Sequence, residues 1–273
     1  MLASVAGSEG YAIVLTLGGD GTVNEAVNGI LGKSAAGSPP SPSPTELPAL
    51  AALPGGSANV FTGALGLPRD PVDATGQILR AVTEGRQRTI GLGIVDGRYF
   101  ALNAGLGLDA EVVRAVQGLR AHGKPATTAL YVRLALRQFY KQTDRRHPAV
   151  TVKLDGQPAV GPVFVGIVSN AAPWTYLGNH EVHANPRAGF ESGLDLLALR
   201  KLSTLSTFSA ISKMLTADTD RLLRGRSVLA YHDQPCITMS ASRPVACQID
   251  GEYVGEREIV TFRSVPEALR VVA

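Results

Sequence analysis

Ala12-Ile13-Val14-Leu15-Thr16-Leu17 is an apolar run that enters Gly18-Gly19-Asp20-Gly21-Thr22, and Val23 to Leu31 leads out as a helix-like stretch. The order strand, glycine turn, helix predicts a site for a phosphate. Glycines let the backbone approach a bulky anion and aim N–H groups at it, while the helix that follows presents the positive end of its dipole. Thr22 and Glu25 stand three residues apart at the predicted helix start, the spacing of a capping box. Asp20 is an acid inside an anion site, which makes chemical sense when a cation such as Mg2+ stands between it and the phosphates.

Spacing alone fits a tight strand-to-helix connection as well as a nucleotide site. The string Gly18-Gly19-Asp20-Gly21-Thr22-Val23-Asn24-Glu25 is more specific, for it resembles the nucleotide loop shared by diacylglycerol kinases, sphingosine kinases and NAD kinases. It is not a Walker A loop, because no Gly-Lys-Ser/Thr follows. A second strand, turn and helix comes at Leu50 to Leu53, Pro54-Gly55-Gly56-Ser57-Ala58-Asn59, and a helix to Leu65 with Gly66 as its stop. Ser57 is either the N-cap of that helix, a ligand for a nucleotide phosphate, or both. Leu53 to Phe61 resembles the second motif of the lipid-kinase branch. Val60 stands where many bacterial diacylglycerol kinases carry Asp, a departure that bears on diacylglycerol as the substrate.

At 273 residues, 45% hydrophobic and 18% charged, the chain is long enough for one large core or two moderate ones, and no stretch reaches the length of a membrane span. Residues 1 to 10 lack a basic start and a sustained apolar centre, so no secretory signal is read and the cytoplasm is the default location. Two cysteines give no disulfide framework; Cys236 and Cys247 are read as half-buried thiols that could face each other across a hairpin. A net charge of +3 excludes an argument for nucleic acid and permits attraction to an anionic membrane face. Residues 1 to 11 are too few for a strand and a crossover helix ahead of Ala12, and the family has a further strand and phosphate loop there. The expectation is a truncated gene model or a fragment. Residues 34 to 48, with Ser38-Pro39-Pro40-Ser41-Pro42-Ser43-Pro44, read as a surface loop.

Downstream, a helix is predicted over Asp73 to Thr83, then strands over Thr89 to Val95 and Arg98 to Asn103 about an Asp96-Gly97 hairpin. Asp109 reads as the N-cap of a helix through Gln117. Thr127 to Gln142 reads as an amphipathic helix with Arg133, Arg137 and Lys141 on one face, a solvated row that could also rest on anionic head groups. Strands then dominate: Ala149 to Leu154, Val160 to Ser169, Leu194 to Leu199 and, after a helix near Ser206 to Leu215, Ser227 to Ile249. The fold class is α/β in two domains. Residues 1–87 form a partial nucleotide-binding domain of the NAD-kinase and diacylglycerol-kinase type, which 263–273 could rejoin, and 88–262 form a mostly antiparallel acceptor domain.

The resemblance assigns roles. Gly18, Gly19, Asp20, Gly21, Thr22, Val23, Asn24, Glu25, Gly56, Ser57, Asn59 and Asp109 would bind ATP, with Mg2+ between its phosphates and Asp20. Pro186 to Asp195 is similar to a family stretch in which Ser192, Asp195 and the carbonyl of Leu197 would hold a structural Mg2+. Gln248-Ile249-Asp250-Gly251-Glu252 is a hairpin turn by geometry; by resemblance Glu252 is the base that takes a hydroxyl proton, with Asp250 beside it and Asp20 as the third catalytic group. The implied activity is an ATP-dependent lipid kinase acting on a primary hydroxyl of a diacylglycerol- or sphingosine-like lipid, at the membrane face. An NAD kinase, or a non-catalytic nucleotide or lipid binder, are the alternatives, and a homodimer is compatible with the sequence.

Overall fold

A short helix, Leu2–Ser8 (α1), precedes the first strand, Ile13–Gly18 (β1), in the computed structural model, which describes residues 2–32, 43–121, 128–216, 223 and 225–273. The proline-rich reading of residues 33–42 lies outside them. After β1 come the helix Asp20–Leu31 (α2), the strand Ala49–Pro54 (β2) and the helices Val60–Ala64 (α3) and Pro71–Thr83 (α4). Strands Gln87–Val95 (β3), Arg98–Phe100 (β4) and Asn103–Gly107 (β5) lead to helices Leu108–Ala121 (α5) and Thr128–Arg137 (α6). Then follow Val150–Leu154 (β6), Val160–Val163 (β7), Val165–Ser169 (β8), Thr175–Leu177 (β9), His180–Val182 (β10) and Leu194–Leu199 (β11). Helix Thr204–Leu215 (α7) precedes Val228–Gln234 (β12), Cys236–Ile249 (β13) and the 21-residue strand Glu252–Val272 (β14).

β1 and β2 pair in parallel, from Ile13 opposite Ala49 to Gly18 opposite Pro54, so both glycine loops leave the sheet at the same end. β2 reads as an unbroken apolar run because both its faces are covered: Ala49, Leu50, Ala51 and Ala52 are fully buried. α2 packs onto it through Val23, Ala26, Val27, Ile30 and Leu31, the spacing of one helical face, and ends at Gly32, whose φ of 70° is the conformation glycine tolerates. The strand order is β1-β2-β14-β13-β5-β8-β11-β12, with β3 and β4 attached to β14 and β6 and β7 to β13. All pairings other than β1 to β2 and β2 to β14 are antiparallel.

One hydrophobic core draws on residues from Val23 to Leu102 together with Val265, Ala268, Leu269, Val271 and Val272. A second gathers Phe100, Leu106, Val152, Leu196, Ile237, Met239 and Phe262. β14 contributes to both, since its first half pairs with β13 and its second with β3 and β2.

Several local expectations are corrected. No capping box forms: α2 starts at Asp20, its N-cap is Gly19, and no side chain caps it. Ser57 is not an N-cap either; Asn59 takes that position with φ 54°. Asp109 lies in the first turn of α5, which begins one residue earlier. The run Val160 to Ser169 is two strands, and the basic helix gives way to a π turn over Gln138–Gln142. Cys236 and Cys247 both lie on β13, paired with β14 and β5 respectively, and are free thiols that do not face each other. The Asp96-Gly97 and Asp250-Gly251 hairpins form as read, with positive φ at all four residues.

Candidate active site

The two glycine loops touch. The Gly55 N–H donates to the Gly18 carbonyl at 2.9 Å, and a Cβ added at Gly56 would come within 2.5 Å of the Gly19 Cα, so only glycine allows the approach. The second loop is fastened internally: the Gly56 N–H donates to Asn59 Oδ1 at 2.7 Å and Asn59 Nδ2 returns a bond to the Gly56 carbonyl at 2.9 Å. Asp20, half-buried, joins the loops from the other side, its Oδ1 accepting the Phe61 N–H at 2.9 Å. Burial raises the Asp20 pKa, and the N–H groups of Phe61, Val60 and Asp20 itself pull it back. In the first loop the Thr22 and Val23 N–H groups are spent on the Gly19 carbonyl. Those of Gly19 and Gly21 bond to no described group and are the donors open to an anion. Gly56 and Ser57 are exposed beside them.

Asn24 and Glu25, on the next turn of α2, point to the Asp250 hairpin instead of into the glycine loops. Asn24 is buried, and its Nδ2 donates to Asp250 Oδ2 at 2.8 Å and to the Tyr99 carbonyl at 3.0 Å. Asp250 is saturated: Oδ2 also accepts the Ala101 N–H, and Oδ1 accepts those of Leu102 and Asn103, all between 2.8 and 3.0 Å. Desolvation raises its pKa against these donors. Arg98 Nη2 donates to Glu252 Oε2 at 2.6 Å, to Asn24 Oδ1 at 2.8 Å and to Glu25 Oε1 at 3.1 Å. Glu252 is half-exposed at the hairpin, and its Oε1 meets no described partner.

Behind the hairpin, buried Gln248 donates to Asp109 Oδ2 and to Asn103 Oδ1, each at 2.9 Å, and accepts the Gly251 N–H. Burial pushes the Asp109 carboxyl up to about 6. Asn24, Glu25, Asp250 and Glu252 are therefore joined directly or through Arg98, Asp109 joins them through Gln248 and Asn103, and Asp20 holds to the second glycine loop. Arg98, Asn28, Tyr99, Asn103 and Gln248 complete this network. Of these Gln248 stands in a motif that the sequence singles out and Asn103 two residues before Gly105; Arg98 directly follows the Asp96-Gly97 turn, and nothing local sets it apart.

The proposed structural metal residues lie elsewhere on the sheet. Asn103, Ser169 and Asp195 are direct neighbours across β5, β8 and β11, which puts Asp195 about 10 Å from Asn103. Asp195 is fully buried; Oδ1 accepts from the Asp233 N–H at 3.0 Å and lies 2.7 Å from His232 Nδ1, while Oδ2 has no hydrogen-bond partner among the described residues. Desolvation raises its pKa. A buried, unpartnered carboxylate oxygen fits a cation. The Ser192 hydroxyl donates to the Gly189 and Gly193 carbonyls, and Leu197 lies in mid-strand, paired on both sides. No cluster of three His, Cys, Asp or Glu side chains occurs among the described residues.

A parallel strand pair carries the two touching glycine loops and is set against an antiparallel body. The fold matches the crystal structure of a diacylglycerol kinase from Bacillus anthracis with a TM-score of 0.64, over 99% of this chain and 80% of that one, at 16% identity. Residues 1–93 match the family described as the diacylglycerol kinase catalytic domain. Over 254 residues the chain is 29% identical to a relative named as a YegS-like lipid kinase from Chromohalobacter salexigens, covering 92% of this chain and 73% of the relative. Over 253 residues it is 27% identical to the diacylglycerol kinase of Bacillus subtilis, covering 90% and 72%. The resemblance to the diacylglycerol kinase family is thereby borne out, together with the fold class.

Proposed function

We propose that the protein is an ATP-dependent lipid kinase that phosphorylates a primary hydroxyl of a diacylglycerol- or sphingosine-like lipid at the cytoplasmic face of a membrane. The observation that carries this reading is the network joining α2 to the hairpin: Asn24 to Asp250 and Arg98 to both Glu25 and Glu252, contacts that span 73 to 226 residues of chain. It brings the one half-exposed carboxylate of the hairpin to the helix that leads from the phosphate loop. Relatives named as lipid kinases support the acceptor class.

In this reading the Gly19 and Gly21 N–H groups, with Ser57, hold the phosphates of ATP. Glu252 Oε1 takes the proton of the lipid hydroxyl as that oxygen attacks the terminal phosphorus in line and the bond to the ADP oxygen breaks. Arg98 fixes Glu252 through its other oxygen and shares its charge with Glu25. Asp250, with four donors, holds the hairpin and does not exchange protons in the cycle. Mg2+, when bound, would supply charge neutralisation on the phosphates beside Asp20, and Asp195 Oδ2 would hold a second, structural ion.

The test is phosphate transfer from ATP to a panel of diacylglycerol, sphingosine and ceramide, with Glu252→Gln beside wild type. Loss of a general base should cost on the order of 10²–10⁴-fold in turnover with ATP affinity nearly unchanged. Full turnover in a folded Glu252→Gln protein would remove Glu252 from the chemistry.

A further inference from the structure

α7 carries two opposed apolar faces. Ala210 and Met214 are buried, Met214 in the same core as Leu202, Val182 and Leu197. Leu205, Phe208, Ile211 and Leu215, at spacings of three and four, lie on the other side and are 85%, 55%, 43% and 43% exposed. α7 contains no acidic residue. An apolar ridge of this size on an isolated surface helix marks a docking face.

Its surroundings say what docks. Immediately before the α7 N-cap, Ser203, a groove of about 780 Å³ opens between Arg200–Leu202 and the chain after α6. Lys141, Arg145, Arg146, Arg200 and Lys201 line it, against the single carboxylate of Asp144. That acid is already engaged by His147 and by the Arg146 and His147 N–H groups. Among the described residues no ion pair neutralises the five cations, and Arg145 stacks on Phe139 and Tyr140 at 4.8 and 5.4 Å. Tyr140, on the groove, and Leu136, one turn earlier on α6, are also exposed.

We infer that this face is a membrane-docking surface, in which the α7 ridge enters the head-group region of an anionic bilayer while the adjoining cationic groove takes lipid phosphates. An apolar helix face flanked by cations is the composition that binds such an interface, each part adding to the other. A second copy of this chain is the poorer occupant, because two-fold pairing through this face would set like-charged grooves side by side. The inference rests on composition and exposure, not on the kinase reading, and the surface is distinct from the Asp250 hairpin.

The experiment is flotation of the protein with vesicles of phosphatidylcholine alone or with phosphatidylglycerol. Wild type should partition onto the anionic vesicles, and more weakly in high salt. Leu205→Ser with Phe208→Ser should lower that partition about tenfold or more, since both side chains leave water on docking. Arg200→Ala with Lys201→Ala should lose about fivefold per cation on anionic vesicles only. Phe208→Trp should show quenching by brominated lipid beyond that of wild type, which carries Trp174. Absence of wild-type binding, variants that float like wild type, or a ridge variant that instead turns a dimer into a monomer would each overturn the proposal. Phosphate transfer to detergent-dispersed lipid is measured in parallel: ridge variants should retain it. Absent transfer with intact flotation would defeat the kinase reading and leave this surface standing.

Discussion

Asp109 illustrates how a single side chain behind the Asp250-Gly251 hairpin sets a pH dependence. Its carboxyl titrates near 3.8 in the unfolded chain and at about 6 when folded, because burial disfavours the charge more than the Gln248 amide stabilises it. A raised folded-state pKa means that the folded protein holds the proton more tightly. The contribution is therefore fully present below about pH 3.8 and is lost as the pH rises through about 6. Asp109→Asn keeps an oxygen for Gln248 and removes the charge, so we expect roughly 1–3 kcal/mol of added stability at pH 7.5 and little change near pH 4. Urea unfolding at the two pH values checks this; an equal effect at both would show that ionisation is not the cause. At this scale the acids of the network are legible in the sequence because they stand in compact strings such as Gln248 to Glu252. Arg98, Asn28 and Tyr99 are not, since what distinguishes them is a partner some 70 to 150 residues away.

The two glycine loops act as a unit at the level of elements. Gly56→Ala would press a methyl group into the Gly19 backbone, with no flexible side chain to yield, so the loops must part. We expect a loss of about 1–3 kcal/mol in unfolding free energy together with a fall in ATP affinity measured by calorimetry; unchanged affinity would separate the loop contact from nucleotide binding. Asp20→Asn is gentler. The amide oxygen still accepts the Phe61 N–H, so stability should hold to within about 1 kcal/mol while turnover drops from the lost charge. A folded variant with wild-type turnover would confine Asp20 to fastening the loops. Strand, turn and helix were readable here from periodicity and glycine. The capping was not: Thr22 with Glu25, and Ser57, carry the right residue types for caps, yet Gly19 and Asn59 occupy the cap positions because the loop-to-loop contact fixes where each helix begins.

For the molecule as a whole, Asp250 is a tie between the two cores, binding Asn24 of α2 and the three consecutive N–H groups of Ala101, Leu102 and Asn103 that lead into β5. Asp250→Ala would leave those donors unpaired, and we expect a loss of roughly 2–4 kcal/mol and a lower urea midpoint. A shift below about 0.5 kcal/mol would show that water replaces the carboxylate freely. The architecture was legible as far as its alternation of helices and strands, and 263–273 were expected to return to the first unit. That residues 252–272 form a single strand was hidden, because Pro266 and the polar run from Glu256 to Glu258 mask the apolar alternation. This strand carries Glu252 at one end and, near the other, Val271, which meets Leu50 on β2. Its length is therefore a yardstick between the Asp250-Gly251 hairpin and the strand that ends in the second glycine loop. Inserting or deleting one residue between Ile259 and Phe262, where β14 pairs with β13 in continuous register, would turn the side chains that follow to the opposite face, exchanging core for solvent. Changes of length can be absorbed at the irregular step between Val265 and Leu269, where Glu267 already has a φ of 48°. Among chains of this architecture, gaps opposite β14 should fall at its irregular steps, this one and the one at Val254 and Gly255, where φ of Gly255 is 99°.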